Sequence, residues 1–244
     1  MTKLYEANNY ILIDTDTIQP TMHSHMAAHI IVSFGDKIKV NSEKMEYEGQ
    51  GILIPSGVSH VVDTKGQRAL VFLYDNTTAV ATQIKETQLL SADVCKAIVK
   101  EYIESNISDS TRNYLHFEET VLHQLGIHET KCTIMDERIQ SAIKYMHSMV
   151  SKKLTCKEVA DFVHLSEGRF SHLFKEQVGM TFASYLIYKR IMYVYMQIIQ
   201  GKSITDAAIE AGFSSSAHFA DVNRRVFGLT ASGLIQNLTF VKIE

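Results

Sequence analysis

The 244-residue chain is 45% apolar and 21% charged with a formal net charge of −3, the balance of an ordinary folded chain of one large or two modest domains rather than a disordered or fibrous one. No apolar run approaches the ~18 residues of a membrane span. The opening residues, MTKLYEANNY, also lack the apolar core of a secretory signal, so the chain is expected in the cytoplasm with no membrane partner. Three widely spaced cysteines, Cys95, Cys132 and Cys156, exclude a disulfide framework and a cysteine zinc site and read as small buried hydrophobes.

Up to about residue 75 the chain is built of short β-type runs: Tyr10 to Ile13, His29 to Phe34, Ile38 to Val40, Gly51 to Ile54 and Ala69 to Tyr74. They are separated by turn-forming stretches such as Gly35-Asp36, Pro55-Ser56-Gly57 and Lys65-Gly66, which predicts a small antiparallel barrel or sandwich over residues 1–80. From Ser91 the period turns helical, with Val94, Ile98 and Tyr102 on one face. A second helix is expected from about Thr111 to Gln124, stopped by Gly126 and carrying Leu115, Leu122 and Leu125. These helices, within a connecting segment 81–130, show more apolar surface than a small barrel needs to cover, and they predict a homodimer; closing the barrel core is the alternative.

Residues 131–244 read as all-helical. Asp136, Thr155 with Glu158, Ser166, Thr181 and Ser203 with Asp206 are helix-starting signals, and Gly179 and Gly201 are stops. The charge changes sign between the two halves. Residues 1–132 hold 11 Lys and Arg against 17 Asp and Glu, a net of −6, while residues 133–244 hold 13 against 10, a net of +3.

The C-terminal part also repeats itself. Val159-Ala160 corresponds to Ala207-Ala208, Ser166 to Ser214, Phe170 to Phe219, and Gly179-Met180-Thr181 to Gly228-Leu229-Thr230, at spacings of 48 to 49 residues. Each copy is a short helix, a tight turn and a second helix, with a small alanine at the crossing and a phenylalanine filling the angle. That is helix-turn-helix geometry, whose second helix offers its first residues to the DNA major groove. A plain helical bundle with two corners is the alternative. A connector of about 18 residues at ~1.5 Å each spans ~27 Å, close to one DNA turn of ~34 Å, and favours DNA.

Two motif sets carry a resemblance. Residues 136 to 230 resemble the tandem helix-turn-helix domain of AraC/XylS-type transcriptional regulators through Leu165-Ser166, Phe170, Leu173-Phe174-Lys175, Gly179, Ala208 to Ser214, His218-Phe219 and Phe227 to Thr230. The resemblance implies double-stranded DNA and the transcription machinery as partners. It places the first set of base-facing positions at Glu167, Gly168, Ser171 and His172, with Arg169 and Lys175 nearer phosphates. The second set falls at Ser216, Ala217, Ala220 and Asp221, with Arg224 and Arg225 toward the backbone. Asp221, Asn223 and Ala231 stand where the family usually has Arg, an aromatic and Pro, which weakens the second reading head.

The second set lies in the N-terminal half. His23, His25 and His29 share one parity and so one face of a continuous strand, and the Pro55-Ser56-Gly57 turn would return His60 across the sheet. The spacing H-x-H-x3-H followed by G-x5-P-x-G-x2-H resembles the two cupin motifs, with His29 in the place of the usual glutamate. The resemblance implies a metal at His23, His25, His29 and His60, and four imidazoles suit a divalent transition metal, zinc or nickel by preference. An organic effector pocket lined by these histidines and a pH-sensing cluster remain open. No G-x-S-x-G elbow, P-loop or dinucleotide fingerprint suggests an enzyme; a cupin metalloenzyme fused to a DNA-binding module is the rival. The expected fold is α+β and multidomain: a cupin-like β-barrel sensor, connecting helices, and an all-α tandem helix-turn-helix.

Overall fold

The computed structural model describes residues 2–6, 10–16, 18, 22, 27–42, 45–76, 78–108, 110–128, 136–149, 154–227 and 238–242. Contacts divide the chain into two compact units, residues 1–129 with 223–244, and residues 130–222. The first takes in both ends of the chain.

In the first unit the strands are β1 (Thr2–Glu6), β2 (Tyr10–Thr15), β3 (Ala28–Ser33), β4 (Ile38–Ser42), β5 (Glu46–Gly49), β6 (Gly51–Ile54), β7 (His60–Asp63) and β8 (Ala69–Tyr74). After a short helix α1 (Ala79–Gln83) come β9 (Gln88–Leu89), α2 (Ala92–Glu104) and α3 (Thr111–Gln124). Strand β10 (Leu238–Lys242) joins this unit from the far end of the chain. Among the described residues one sheet has the order β10-β1-β2-β8-β3-β6-β9 and the other β5-β4-β7. The expected β-barrel is therefore corrected to two open sheets. The large sheet ends on β10 and on the two-residue β9, which leaves no pairing that would close it.

Strands β2, β3 and β8 are buried along their whole length, so they read as continuous apolar runs rather than as alternation. Leu12, Ile30, Phe72 and Tyr74 pack with Ile98 and Tyr102 of α2 and with Tyr114, Phe117 and Val121 of α3 in one core. Of the apolar residues expected at a dimer face, Ile98, Tyr102 and Leu122 are buried in this core and Val94 and Leu125 pack against it, while Leu115 is exposed. The apolar stripe thus closes the sheet, as the simpler alternative holds. Gly51 lets α2 approach β6: a Cβ there would lie 2.7 Å from Cys95 Sγ and 2.9 Å from the Ile31 carbonyl oxygen.

A polar cluster also ties α2 to the sheet. Arg68 grips the buried Asp14 carboxylate with two hydrogen bonds of 2.7 Å, and Tyr102 donates to the same carboxylate at 2.6 Å. Burial, and then the Asp14 contact, push the Tyr102 phenol up.

The second unit holds α4 (Glu137–Ser148), α5 (Cys156–Phe162), α6 (Glu167–Val178), α7 (Phe182–Ile199) and α8 (Ile204–Glu210); α9 (Ser216–Phe227) begins in it, and the division falls inside that helix. The predicted N-caps are in place: Asp136, Thr155, Ser166, Thr181 and Ser203 each accept a hydrogen bond from the first turn of their helix. Ile139, Ala142 and Met146 of α4 pack with Val159, Ala160, Phe170, Leu173 and Phe174 in a second core.

Candidate nucleic-acid interface and histidine pair

Each repeat is a short capped helix whose exit turn sets the direction of the next. In the first, Thr155 and Glu158 form a reciprocal capping box, with Thr155 N–H donating to Glu158 Oε2 at 2.7 Å. These bonds hold the Glu158 carboxyl below its usual range. Helix α5 ends in a tight turn in which Leu165 N–H donates to the Ala160 carbonyl at 2.9 Å. Forty-eight residues later Phe213 N–H donates to the Ala208 carbonyl at 3.0 Å. The residue before each donor is left-handed, His164 at φ 56° and Gly212 at φ 84°. The repeat read from sequence is therefore a repeat of backbone geometry.

The crossings follow. Val159, Ala160, Ala207 and Ala208 are buried, as are Phe170 and Phe219, the two angle-filling rings. Phe219 packs edge-on against Phe213 and Tyr195, at centroid distances of 5.4 and 6.0 Å. With Phe170, Leu173 and Phe174 turned inward, α6 leaves Gly168, Ser171, His172 and Lys175 exposed in one stripe, flanked by exposed Glu167 and Arg169. Helix α9 leaves Ala217, Ala220, Asp221, Arg224 and Arg225 exposed, with Ser216 half-buried. Asn223 is buried, so its departure from the family pattern falls on the inner side of α9 and not on its reading face. Gly168 has open space beyond its Cα, which suits close approach by another molecule's backbone.

Two contacts at these turns were not read from sequence: Cys95 is buried as expected, but Cys156 is only half-buried, and His218 was read only as part of the motif. Cys156 Sγ lies 3.1 Å from Ser171 Oγ, joining the first turn of α5 to the exposed stripe of α6. His218 Nδ1 accepts from Ser214 N–H at 3.2 Å and lies 3.0 Å from Ser214 Oγ, pinning the turn into α9. The four-residue interval from Ser214 to His218 is the signal that could have revealed this contact.

In the first unit the structure brings together two of the four expected histidines. His29 on β3 and His60 at the start of β7 are both buried, with ring centroids 5.0 Å apart and planes nearly perpendicular. His60 Nδ1 is 2.7 Å from the Val58 carbonyl oxygen, so Nδ1 carries a proton and donates it there. His23 and His25 lie outside the described residues. Among the described residues no group of three or more His, Cys, Asp or Glu side chains is placed to hold a metal ion. No helix among them is long and apolar enough to cross a membrane.

Residues 159–237 match the Helix-turn-helix domain family. An uncharacterized HTH-type transcriptional regulator of Staphylococcus aureus is 26% identical over 155 residues, 61% of this chain and 20% of its own length. Regulatory protein PocR of Salmonella typhimurium is 25% identical over 152 residues, 62% of this chain and 48% of its own. The chain spans half or less of the length of these curated relatives. Among solved structures, ToxT from Vibrio cholerae O395 superposes over 93% of this chain and 96% of its own with a TM-score of 0.51 at 13% identity. Wild-type ToxT from strain SCE256 with unsaturated fatty acid bound does so over 95% and 96%, with a TM-score of 0.50 at 12% identity. At these identities the likeness is one of fold. The fold is that of a sheet-rich N-terminal region followed by a helical region that carries a tandem helix-turn-helix, the expected two-part architecture.

Proposed function

We propose that this chain is a sequence-specific transcriptional regulator acting on double-stranded DNA in the cytoplasm, read by α6 and α9 and biased by a ligand of the N-terminal region. The observation that carries this reading is the repeated turn, which exposes an equivalent stripe on each second helix. Selection of the full chain on a randomised duplex library tests it, with the enriched sequence as the outcome. Ser171→Ala or His172→Ala should relax base preference, by ~1–3 kcal/mol where a bidentate contact is lost. Lys175→Ala should weaken all sequences alike and flatten the salt dependence. Failure to enrich any sequence would overturn the reading. Sedimentation of the chain at micromolar concentration, with and without the selected duplex, tests the homodimer.

For the ligand, we propose a divalent transition metal, zinc or nickel, held by His29 and His60 together with His23 and His25. Support comes from His60, whose Nδ1–H donates to a backbone carbonyl as the outer nitrogen of metal-ligating imidazoles does. Titrating Zn²⁺ and Ni²⁺ into the wild type and into His60→Ala and His25→Ala, with stoichiometry and DNA affinity read together, tests this. Binding should weaken as pH falls below the ordinary imidazole pKa of ~6.5. Absence of stoichiometric binding would favour an organic effector, the kind of ligand that the bound form of ToxT carries.

A further inference from the structure

Helix α2 presents two faces to its own unit. Cys95, Ile98 and Tyr102 pack inward, while Lys96, Val99, Lys100, Ile103 and Glu104 follow one another along a flank. That flank, with Ser33 and Phe34 at the end of β3 and Gln50 at the β5–β6 turn, walls a cavity of about 330 Å³. The volume lies at the small end of ligand pockets, which begin at ~300 Å³.

The wall is sorted by chemistry along the helix. Lys96 and Lys100, one turn apart, stand at the end nearer the start of α2, and Val99, Ile103 and Phe34 supply an apolar floor. Glu104 at the other end is paired with Lys100 at 3.9 Å, whereas Lys96 takes part in no ion pair among the described residues. Ile103 is 61% exposed, so its aliphatic surface is open to a ligand beside the two ammonium groups. Phe34 is fixed from behind: the Arg68 guanidinium lies 4.2 Å from its ring centroid and Tyr102 meets it edge-on at 5.7 Å. The Phe34 end of the floor therefore rests on the residues that grip Asp14.

We propose that this cavity binds a small amphipathic carboxylate, its anionic head between Lys96 and Lys100 and its apolar body on Phe34, Val99 and Ile103. A neutral molecule of the same shape would leave Lys96 without a counter-charge, and a cation would meet Lys96 and Lys100 with only Glu104, already paired with Lys100, to offset them. The site is separate from the histidine pair and does not depend on the DNA-binding reading. A ligand here would press on Phe34, and through Arg68 on the Asp14–Tyr102 contact that ties α2 to the sheet.

The test is calorimetric titration of the full chain with octanoate, 1-octanol and octyltrimethylammonium. Octanoate should saturate one site per chain, with the alcohol at least tenfold weaker and the cation weaker still. The Lys96→Gln/Lys100→Gln chain should lose at least tenfold in octanoate affinity, and so should Ile103→Glu, which sets a carboxylate on the floor. These side chains lie outside the core, and thermal unfolding followed by circular dichroism verifies that both variants fold. Equal binding of alcohol and octanoate, octanoate binding unchanged in both variants, or no saturation up to millimolar octanoate would each overturn the proposal.

Discussion

Cys156 Sγ and Ser171 Oγ, 3.1 Å apart, join the first helix of the first repeat to the exposed stripe of the second. A group added to that sulfur would lie against Ser171 on the exposed stripe. Cys95, by contrast, is buried beside Gly51, and burial pushes its thiol up to about 11, so it stays protonated and unreactive at neutral pH. In a Cys132→Ser chain at pH 7.5, N-ethylmaleimide should modify Cys156 and spare Cys95, and modification should weaken binding to a selected duplex several-fold. Bound duplex should slow the reaction. Labelling of Cys95 first, seen by peptide mass spectrometry, would contradict this account.

His164 stands at φ 56° where the second repeat has Gly212 at φ 84°. A left-handed non-glycine residue costs ~1–3 kcal/mol, and glycine returns ~0.5–1 kcal/mol of that through its greater unfolded-state freedom. His164→Gly should therefore stabilise the chain by ~0.5–1.5 kcal/mol, and His164→Val should destabilise it because a β-branched residue resists this conformation. Urea unfolding midpoints decide the point. A loss on going to glycine would mean that the imidazole contributes more than the backbone strain removes.

The tandem turns were legible because they depend on local residues: a cap, a small alanine at the crossing, a ring in the angle and a left-handed position. The position of His164 was the exception, since a histidine marks a left-handed residue far more weakly than Gly212 does. In the N-terminal unit the strongly apolar strands were also legible; β2, β3, β6 and β8 fall on the predicted runs. The missed strands fail the pattern for identifiable reasons. Strand β5 (EYEG) is largely exposed and charged, and β10 gains its partner only from β1, more than 230 residues earlier in the chain. The apolar faces of α2 and α3 were read correctly as buried surface, but their partner is their own sheet. Periodicity shows that a face is covered and not by what.

Tyr102 donates to the Asp14 carboxylate at 2.6 Å and lies 3.1 Å from the Tyr5 hydroxyl, which also lies 3.1 Å from Ser108 Oγ. Asp14 is nearly inaccessible, whereas Arg68 is half-exposed. A hydrogen bond to a charged partner contributes ~1.5–3 kcal/mol and a neutral one ~0.5–1.5. Tyr102→Phe should accordingly destabilise the chain by ~1.5–3 kcal/mol and Tyr5→Phe by about half as much, read from denaturant midpoints. Equal losses would show that the Tyr102–Asp14 contact is no stronger than its neutral neighbour.

Strand β10 runs parallel to β1, pairing Thr2 with Leu238 through Glu6 with Lys242, and it occupies the edge of the large sheet. Val241 also packs against the main core. A chain stopped after residue 237 would bare the outer edge of β1, a strand whose residues Leu4, Tyr5 and Glu6 are buried. An uncovered edge next to an apolar sheet is a template for pairing with another chain. The truncated chain should therefore self-associate, seen as an increase in sedimentation coefficient with concentration at micromolar levels, while the second unit, whose core takes nothing from β10, should keep its helical content. Restoring residues 238–244 as a separate peptide should reverse the association, because the peptide can occupy the same edge. A truncated chain that sediments as the full-length one does, at every concentration, would show that the β1 edge is protected by something other than β10.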